Sequence, residues 1–250
     1  MPNAADNTSF NGGLAIAQPE TGYRFSIDAL ILAHHITPMP GDRIVDIGTG
    51  CGIIALLLAR RYPEIRIYGV ELQPELARAA EANISANHLA DRICIIEKDI
   101  QMVSISETGP VQIITCNPPH SPKTDGRVSP NSQTAIARHE IRLSIKTLAE
   151  SANRLLAHKG RLFIIYPAAR LTDILLHLRQ AGLEPKQIRA IHFKPDTPAR
   201  RIIIQAIKQG QPGLEMAPPL FIHAPDGAYT PEAQAIMNPA TYDRGSSPAC

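Results

Sequence analysis

Four residues, Asn117-Pro118-Pro119-His120, follow the apolar run "VQIITC" and could hold a planar amine. The Asn117 side-chain oxygen and the Pro118 carbonyl can each accept one N–H. Two such acceptors aim the nitrogen and favour the positive charge that develops on it when it attacks an electrophile. The prolines stiffen the backbone, so the acceptors are held ready. An imidazole in the fourth position can stack on a flat substrate. An exocyclic amine on a base or an amide is a poor nucleophile, because its lone pair is delocalised, and this constellation suits it. Asn-Pro pairs also mark ordinary turns, so the motif gains weight only beside a second site.

That second site is "DIGTGCG", residues 46–52. Gly48, Gly50 and Gly52 let the backbone turn tightly and approach a ligand closely. Glu71 lies about twenty residues on, where a carboxylate can hold two ribose hydroxyls. A dinucleotide-binding loop is the rival reading. It wants G-x-G-x-x-G, but Ile53 occupies the place of its third glycine. Asp46, two residues before the first glycine, would repel a pyrophosphate. It suits a cation instead. S-adenosylmethionine carries a sulfonium and an ammonium and no phosphate. Asp99, after Lys98, could accept from an adenine amino group. The candidate cofactor-binding residues are therefore Asp46, Gly48, Thr49, Gly50, Gly52, Glu71, Leu72 and Asp99, with Asn117 beside them.

The elements that must position these residues alternate in type. "SIDALILAHHI" (26–36) reads as an amphipathic helix with Ser26 as N-cap. Strands are expected at 43–47, 66–72, 92–97, 111–116, 160–166, 186–193 and 200–208. Helices are expected at 53–62, 74–88, 134–157 and near 170–181. The long helix should end at Lys159-Gly160. Apolar strands separated by helices imply a parallel sheet covered on both faces. The last two strands, joined by "KPDTPA", read as an antiparallel hairpin at one edge. The expected fold is α/β and Rossmann-like, with a mostly parallel seven-stranded sheet. Four stretches are expected: an arm over 1–25 with a hairpin-like segment, the main domain over 26–210, an extension packed on it over 211–240, and a disordered tail over 241–250.

The 250 residues suit one α/β domain with small additions. Charge is unevenly distributed. Residues 121–210 hold 16 basic and 6 acidic side chains, a net +10, whereas residues 1–120 carry a net −5. A basic second half fits a polyanionic partner, or else a solvated face with no partner. The four cysteines, Cys51, Cys94, Cys116 and Cys250, form no C-x-x-C. Buried reduced thiols in a cytosolic protein fit best, and no metal site is expected. No secretory signal is visible. The longest apolar run, Ile53–Ala59, is too short to span a membrane.

On these motifs the chain resembles class I S-adenosylmethionine-dependent methyltransferases of the N-P-P-[YFW] amino-methylating group. More closely, it is similar to the bacterial tRNA(Val) adenine methyltransferase family. The segments that carry the resemblance are "FSIDALILA", "DIGTGCGIIALLLA", "VELQPELARAAEANI", "CNPPH", "GRVSPN", "AIARHE" and "PLFIHAPDGAYTPE". The resemblance implies that Asp46, Gly48, Gly50 and Glu71 bind the methyl donor, with Asp99 near its adenine. It implies that Asn117, Pro118, Pro119 and His120 hold the target amine. His120 departs from the pattern, which has Tyr there. Imidazole offers less stacking area and titrates near neutral pH.

Arg127, Arg138, Arg142 and Lys146, with His139 nearby, are the candidate RNA contacts. Three functions compete: a tRNA adenine N-6 methyltransferase, a protein-glutamine methyltransferase of the release-factor type, and a non-catalytic module that binds donor and RNA. The second class carries an N-terminal helical substrate domain, for which about 25 residues before the first helix leave no room. Activity of a His120→Tyr variant separates the first from the third.

Overall fold

The computed structural model describes residues 6–10, 13–18, 26–118 and 144–238. Its main sheet grows from apolar runs that are buried on both faces. Strands β3 (Arg43–Ile47), β4 (Arg66–Glu71), β5 (Ile93–Glu97), β6 (Val111–Cys116) and β7 (Leu156–Pro167) run parallel. β9 (Arg201–Lys208) pairs antiparallel with β7 and with β8 (Leu183–His192). Two further strands, β1 (Asp6–Phe10) and β2 (Leu14–Gln18), form the hairpin of the N-terminal arm.

The sheet has eight strands, not seven. The extra strand, β10 (Glu215–Phe221), pairs parallel with β8. The β8–β9 hairpin is therefore one place in from the edge. Pro218 and Pro219 fall where the β10 pairing shifts register, as expected for prolines confined to an edge strand. The full order is β10-β8-β9-β7-β6-β3-β4-β5.

Alternate strand residues feed two cores. Ile44, Ile67, Ile113 and Ile165 pack with helices α1 (Ile27–His35) and α2 (Ile53–Arg61). Val45, Ile47, Ile114 and Ile164 face the other side. There they meet Leu148, Ala152 and Leu155 of α5 (Ile145–Leu155) and Ile174 and Leu178 of α6 (Leu171–Gln180). Each large side chain buried this way contributes about 1.5–3 kcal/mol. The remaining helices are α3 (Pro74–Ala86), the single turn α4 (Ile105–Thr108) and α7 (Pro231–Met237).

Helix starts follow local rules. Ser26 accepts from the Asp28 N–H (3.2 Å) and Ser144 from the Thr147 N–H (3.1 Å). Pro74 and Pro231 sit in first turns. The helix expected over 134–157 ends earlier, because the chain turns extended at Leu156. Lys159, at φ 60°, then lies inside β7. Residues 134–143 are outside the described residues, as is the tail 241–250.

Candidate active site

The strand order reverses between β3 and β6, since β4 and β5 follow on one side and β7 on the other. Open parallel sheets bind ligands beyond the carboxyl ends of strands at such a point. Ile47 pairs with Cys116 there. The next residues are Gly48 on one strand and Asn117 on the other, about one strand spacing of 4.8 Å apart. The two motifs, distant in sequence, thus meet.

The glycine loop is held from below. The Gly48 and Thr49 amides both donate to the Val70 carbonyl, at 2.8 and 3.1 Å. Gly48 has φ 68°, and a Cβ built on it meets nothing within 4 Å. Open space therefore lies beside the loop, and the conformation itself demands glycine. Gly52 caps α2 at φ 85° and brings no side chain to the helix start. Its own neighbour is Ala80 of α3, at 3.5 Å from an ideal Cβ.

Two buried carboxylates hold the loop. Asp46 is 1% exposed and accepts from the Thr49 hydroxyl at 2.7 Å. Burial pushes its carboxyl up to about 7, the Thr49 hydrogen bond opposes this, and Glu71 adds to the rise. Glu71 is 4% exposed and accepts from the Gly50 N–H and the Gln73 N–H, both at 2.9 Å. Its geometry is thus fixed by backbone on both oxygens, and each oxygen keeps a second lone pair. Among the described residues, neither carboxylate joins an ion pair. Two buried, cation-free carboxylates beside an open glycine loop fit a cationic ligand with vicinal hydroxyls and oppose a pyrophosphate.

The remaining candidates are placed less uniformly. Leu72 is half-buried just past β4, beside Glu71. Asp99 follows β5, two strands from β3, and is half-buried. It caps a short turn by accepting from the Gln101 N–H at 2.9 Å. Pro118 is buried and Asn117 half-buried. Pro119, His120, Arg127, Arg138, His139 and Arg142 lie outside the described residues. Lys146 sits in the first turn of α5 as an exposed charge, 3.9 Å from Glu150.

Three contributors escape a reading of the sequence. Gly69 of β4 sits beside Asp46 in the sheet, and a Cβ there would come within 2.9 Å of the Thr49 side chain and 2.7 Å of Ile95. A glycine inside a strand is the one signal for it. Thr115 pairs with Asp46 from the other side, and its hydroxyl is buried with no partner among the described residues. Asn83 of α3, 2% exposed, donates to the Cys51 carbonyl at 3.0 Å and to the Ala17 carbonyl at 2.9 Å. It also accepts from the Ala17 N–H at 2.8 Å. One turn on, Asn87 holds Ala15 in the same two-sided way, at 2.9 and 2.7 Å. Helical i,i+4 spacing thus matches alternate residues of β2 and ties the arm to the glycine loop.

Cys51 and Cys116 are buried beneath the site. Burial lifts Cys51 to about 11 and Cys116 well above the ordinary thiol range, so both stay protonated at neutral pH. Cys94 is exposed, contrary to expectation, because β5 is the far edge strand. Among the described residues, no three His, Cys, Asp or Glu side chains form a metal-binding group. No helix there is long and apolar enough to cross a membrane.

Known proteins resemble this chain. A tRNA1(Val) (adenine(37)-N6)-methyltransferase of Porphyromonas gingivalis is 31% identical over 234 residues, 90% of this chain and 91% of that one. A protein of the same name from Tolumonas auensis is 31% identical over 227 residues, covering 89% and 92%. Among solved structures, a predicted O-methyltransferase of Agrobacterium tumefaciens superposes with a TM-score of 0.68 at 22% identity, covering 85% of this chain and 96% of the other. At that identity it speaks for the fold alone. The family profile described as methyltransferase small domain matches residues 24–176, which include the glycine loop, both carboxylates and the Asn-Pro-Pro motif, and the chain belongs to this family.

Proposed function

We propose that this chain transfers a methyl group from S-adenosylmethionine to the exocyclic N-6 amine of an adenine in tRNA. One observation carries the reading: two buried carboxylates without a cation hold the glycine loop that faces Asn117-Pro118 across the β3–β6 pair, at the strand-order reversal. The tRNA adenine specificity in the names of the relatives supports the choice of acceptor.

When bound, S-adenosylmethionine supplies an electrophilic methyl. Asp46, once ionised, and Glu71 set a negative potential suited to a cationic donor. Glu71, fixed by the Gly50 and Gln73 amides, accepts from the ribose hydroxyls. Leu72 and Asp99 would border the adenine of the bound donor. Asn117 Oδ1 and the Pro118 carbonyl accept the two N–H bonds of the target amine and orient its lone pair. Pro119 stiffens the turn, and His120 covers the base. The amine proton leaves after transfer, so no dedicated general base is required. An adenine in an anticodon loop is already accessible from a single strand, and its unstacking costs little. The basic residues Arg127, Arg138, Arg142 and Lys146 hold phosphates around it. A tRNA substrate is consistent with a cytoplasmic location.

The test is transfer of labelled methyl from S-adenosylmethionine to undermodified bulk tRNA, followed by nucleoside analysis. Label in N-6-methyladenosine is the expected result. Intact donor binding with no label in tRNA, for both the wild type and His120→Tyr, overturns it.

A further inference from the structure

Among the described residues, two phenyl or phenol rings stand exposed: Phe193 at 39% and Tyr229 at 46%. They are 36 positions apart in sequence, yet the fold brings them to one place. The His223 N–H donates to the Phe193 carbonyl at 2.9 Å. The His223 ring stacks on Tyr229, with centroids 4.7 Å apart and planes at 25°. The Arg200 guanidinium lies over the Phe193 ring at 5.6 Å.

The place is the donor end of the sheet. β9 begins at Arg201 opposite Pro167, the last residue of β7, so the turn over 193–200 emerges where β3, β6 and β7 finish. β10 is parallel to β8, and its exit leads into His223 and Tyr229 at that same end. Phe193 follows β8, three strands from β6, or about 14 Å from the residue after β6. The turn is rigid. Thr197 Oγ1 donates to the Lys194 carbonyl at 2.9 Å and accepts from the Lys194 N–H at 3.2 Å. The His192 ring contacts the Thr197 carbonyl at 2.6 Å.

Charge at this edge also sorts itself. Arg201 is neutralised by Asp28 and Arg189 by Glu232. Among the described residues, Lys194 and Arg200 join no ion pair. Asp196 and Asp226 are the nearby acids, and Asp226 is engaged by the Ala228 N–H at 3.0 Å.

We infer that Phe193 and Tyr229, with Lys194 and Arg200, form a stacking platform for unpaired nucleotides of the RNA substrate flanking the methylated base. Rings open to solvent beside unneutralised cations are what single-stranded nucleic acid binds through stacking and phosphate contact. The platform rests on the proposed tRNA function and lies outside the sequence segment that contains Arg127, Arg138 and Arg142. Neither ring belongs to the donor loop or to the Asn-Pro-Pro motif.

The test compares Phe193→Ala, Tyr229→Ala and the double variant with the wild type. Measured are the Kd for undermodified tRNA, the Kd for a fully paired RNA duplex, the Kd for S-adenosylmethionine, and the kcat and KM for tRNA. Each single variant should weaken tRNA binding about tenfold and raise KM to match. Donor affinity, duplex affinity and kcat at saturating tRNA should hold within about twofold, while Phe193→Tyr restores binding. An equal loss for duplex and tRNA overturns stacking in favour of plain charge. Unchanged tRNA affinity in the double variant, with the wild type still methylating tRNA, overturns the platform alone and leaves the rings to a protein partner. A wild type that neither binds nor methylates tRNA overturns both the function and the platform.

Discussion

Two groups of sequestered charge flank the sheet, and they are built on different terms. Asp46 and Glu71 are met by a hydroxyl and two amide N–H groups, all uncharged. In the group around α1 and β8 the sequestered charges meet their opposites. Asp28 holds Arg201 at 2.9 Å, and Arg189 reaches Glu232 at 2.7 Å while also donating to the Pro218 carbonyl. His35 completes that group. Its Nδ1–H donates to the Ile31 carbonyl at 2.7 Å, which leaves Nε2 to accept from Arg189 at 2.8 Å. A buried charge already matched by a counter-charge is complete. One matched only by dipoles gains by taking up a proton or a cationic ligand. The first group is built as a binding site would be, and the second is a brace joining α1, β8, β9, β10 and α7.

The largest expected effect comes from a residue that carries no charge. Asn117→Ala should lower the methyl-transfer rate by about 10²-fold or more, with donor affinity nearly intact. Single-turnover kinetics alongside donor titration checks this, and equal losses in both would break the assignment. Glu71→Gln should weaken donor binding by roughly tenfold to a hundredfold, the worth of hydrogen bonds to a charged group. Arg189→Met should leave that affinity untouched. Calorimetric titration of both variants tests the contrast between site and brace directly.

Acidity sharpens it further. In the donor-free protein the Asp46 carboxyl stands at about 7, pushed up first by burial, against about 3.9 in an unfolded chain. The native state therefore holds an extra proton between these values. Its contribution to stability is present below about pH 4 and fades as pH rises through 7. A cationic donor favours the ionised form. Donor affinity should accordingly climb by up to about tenfold per pH unit below 7, with proton release, and Asp46→Asn should flatten the slope.

The brace should respond with the opposite sign. Burial lowers both His34 and His35 to about 4, with neighbouring arginines adding to the effect. Their contribution is present above about pH 6.5 and is lost as pH falls toward 4. Thermal melts of Asp46→Asn should thus show only the histidine slope across that window. The smallest effect expected is from Arg189→Met, a loss of about 1–2 kcal/mol of stability, read as a shift of a few degrees in Tm.

Much of the site is legible in the order of the amino acids. The strands at 43–47 and 111–116 can be read to the residue, because strands buried on both faces leave continuous apolar runs. The two motifs are legible as chemistry, and the rule for strand ends brings them together. β10 is not legible, since "EMAPPLF" carries two prolines, and only an edge position excuses them. The brace is also hidden, because Asp28 and Arg201 lie 173 residues apart and no local pattern pairs them. The need for Gly69 depends on which side chain leans over it from the next loop. A glycine in a strand signals close approach without naming the visitor.

Asn83 has one more consequence. A single amide nitrogen grips both the Ala17 carbonyl and the Cys51 carbonyl. Seating the hairpin orients the amide that also holds the glycine loop, so lifting the hairpin away removes part of that support. Solvent exchange at the Ala15 and Ala17 amides, each capped by an asparagine side chain, is therefore a clock for the opening of the loop. It can be read in the resting protein, with neither donor nor RNA added.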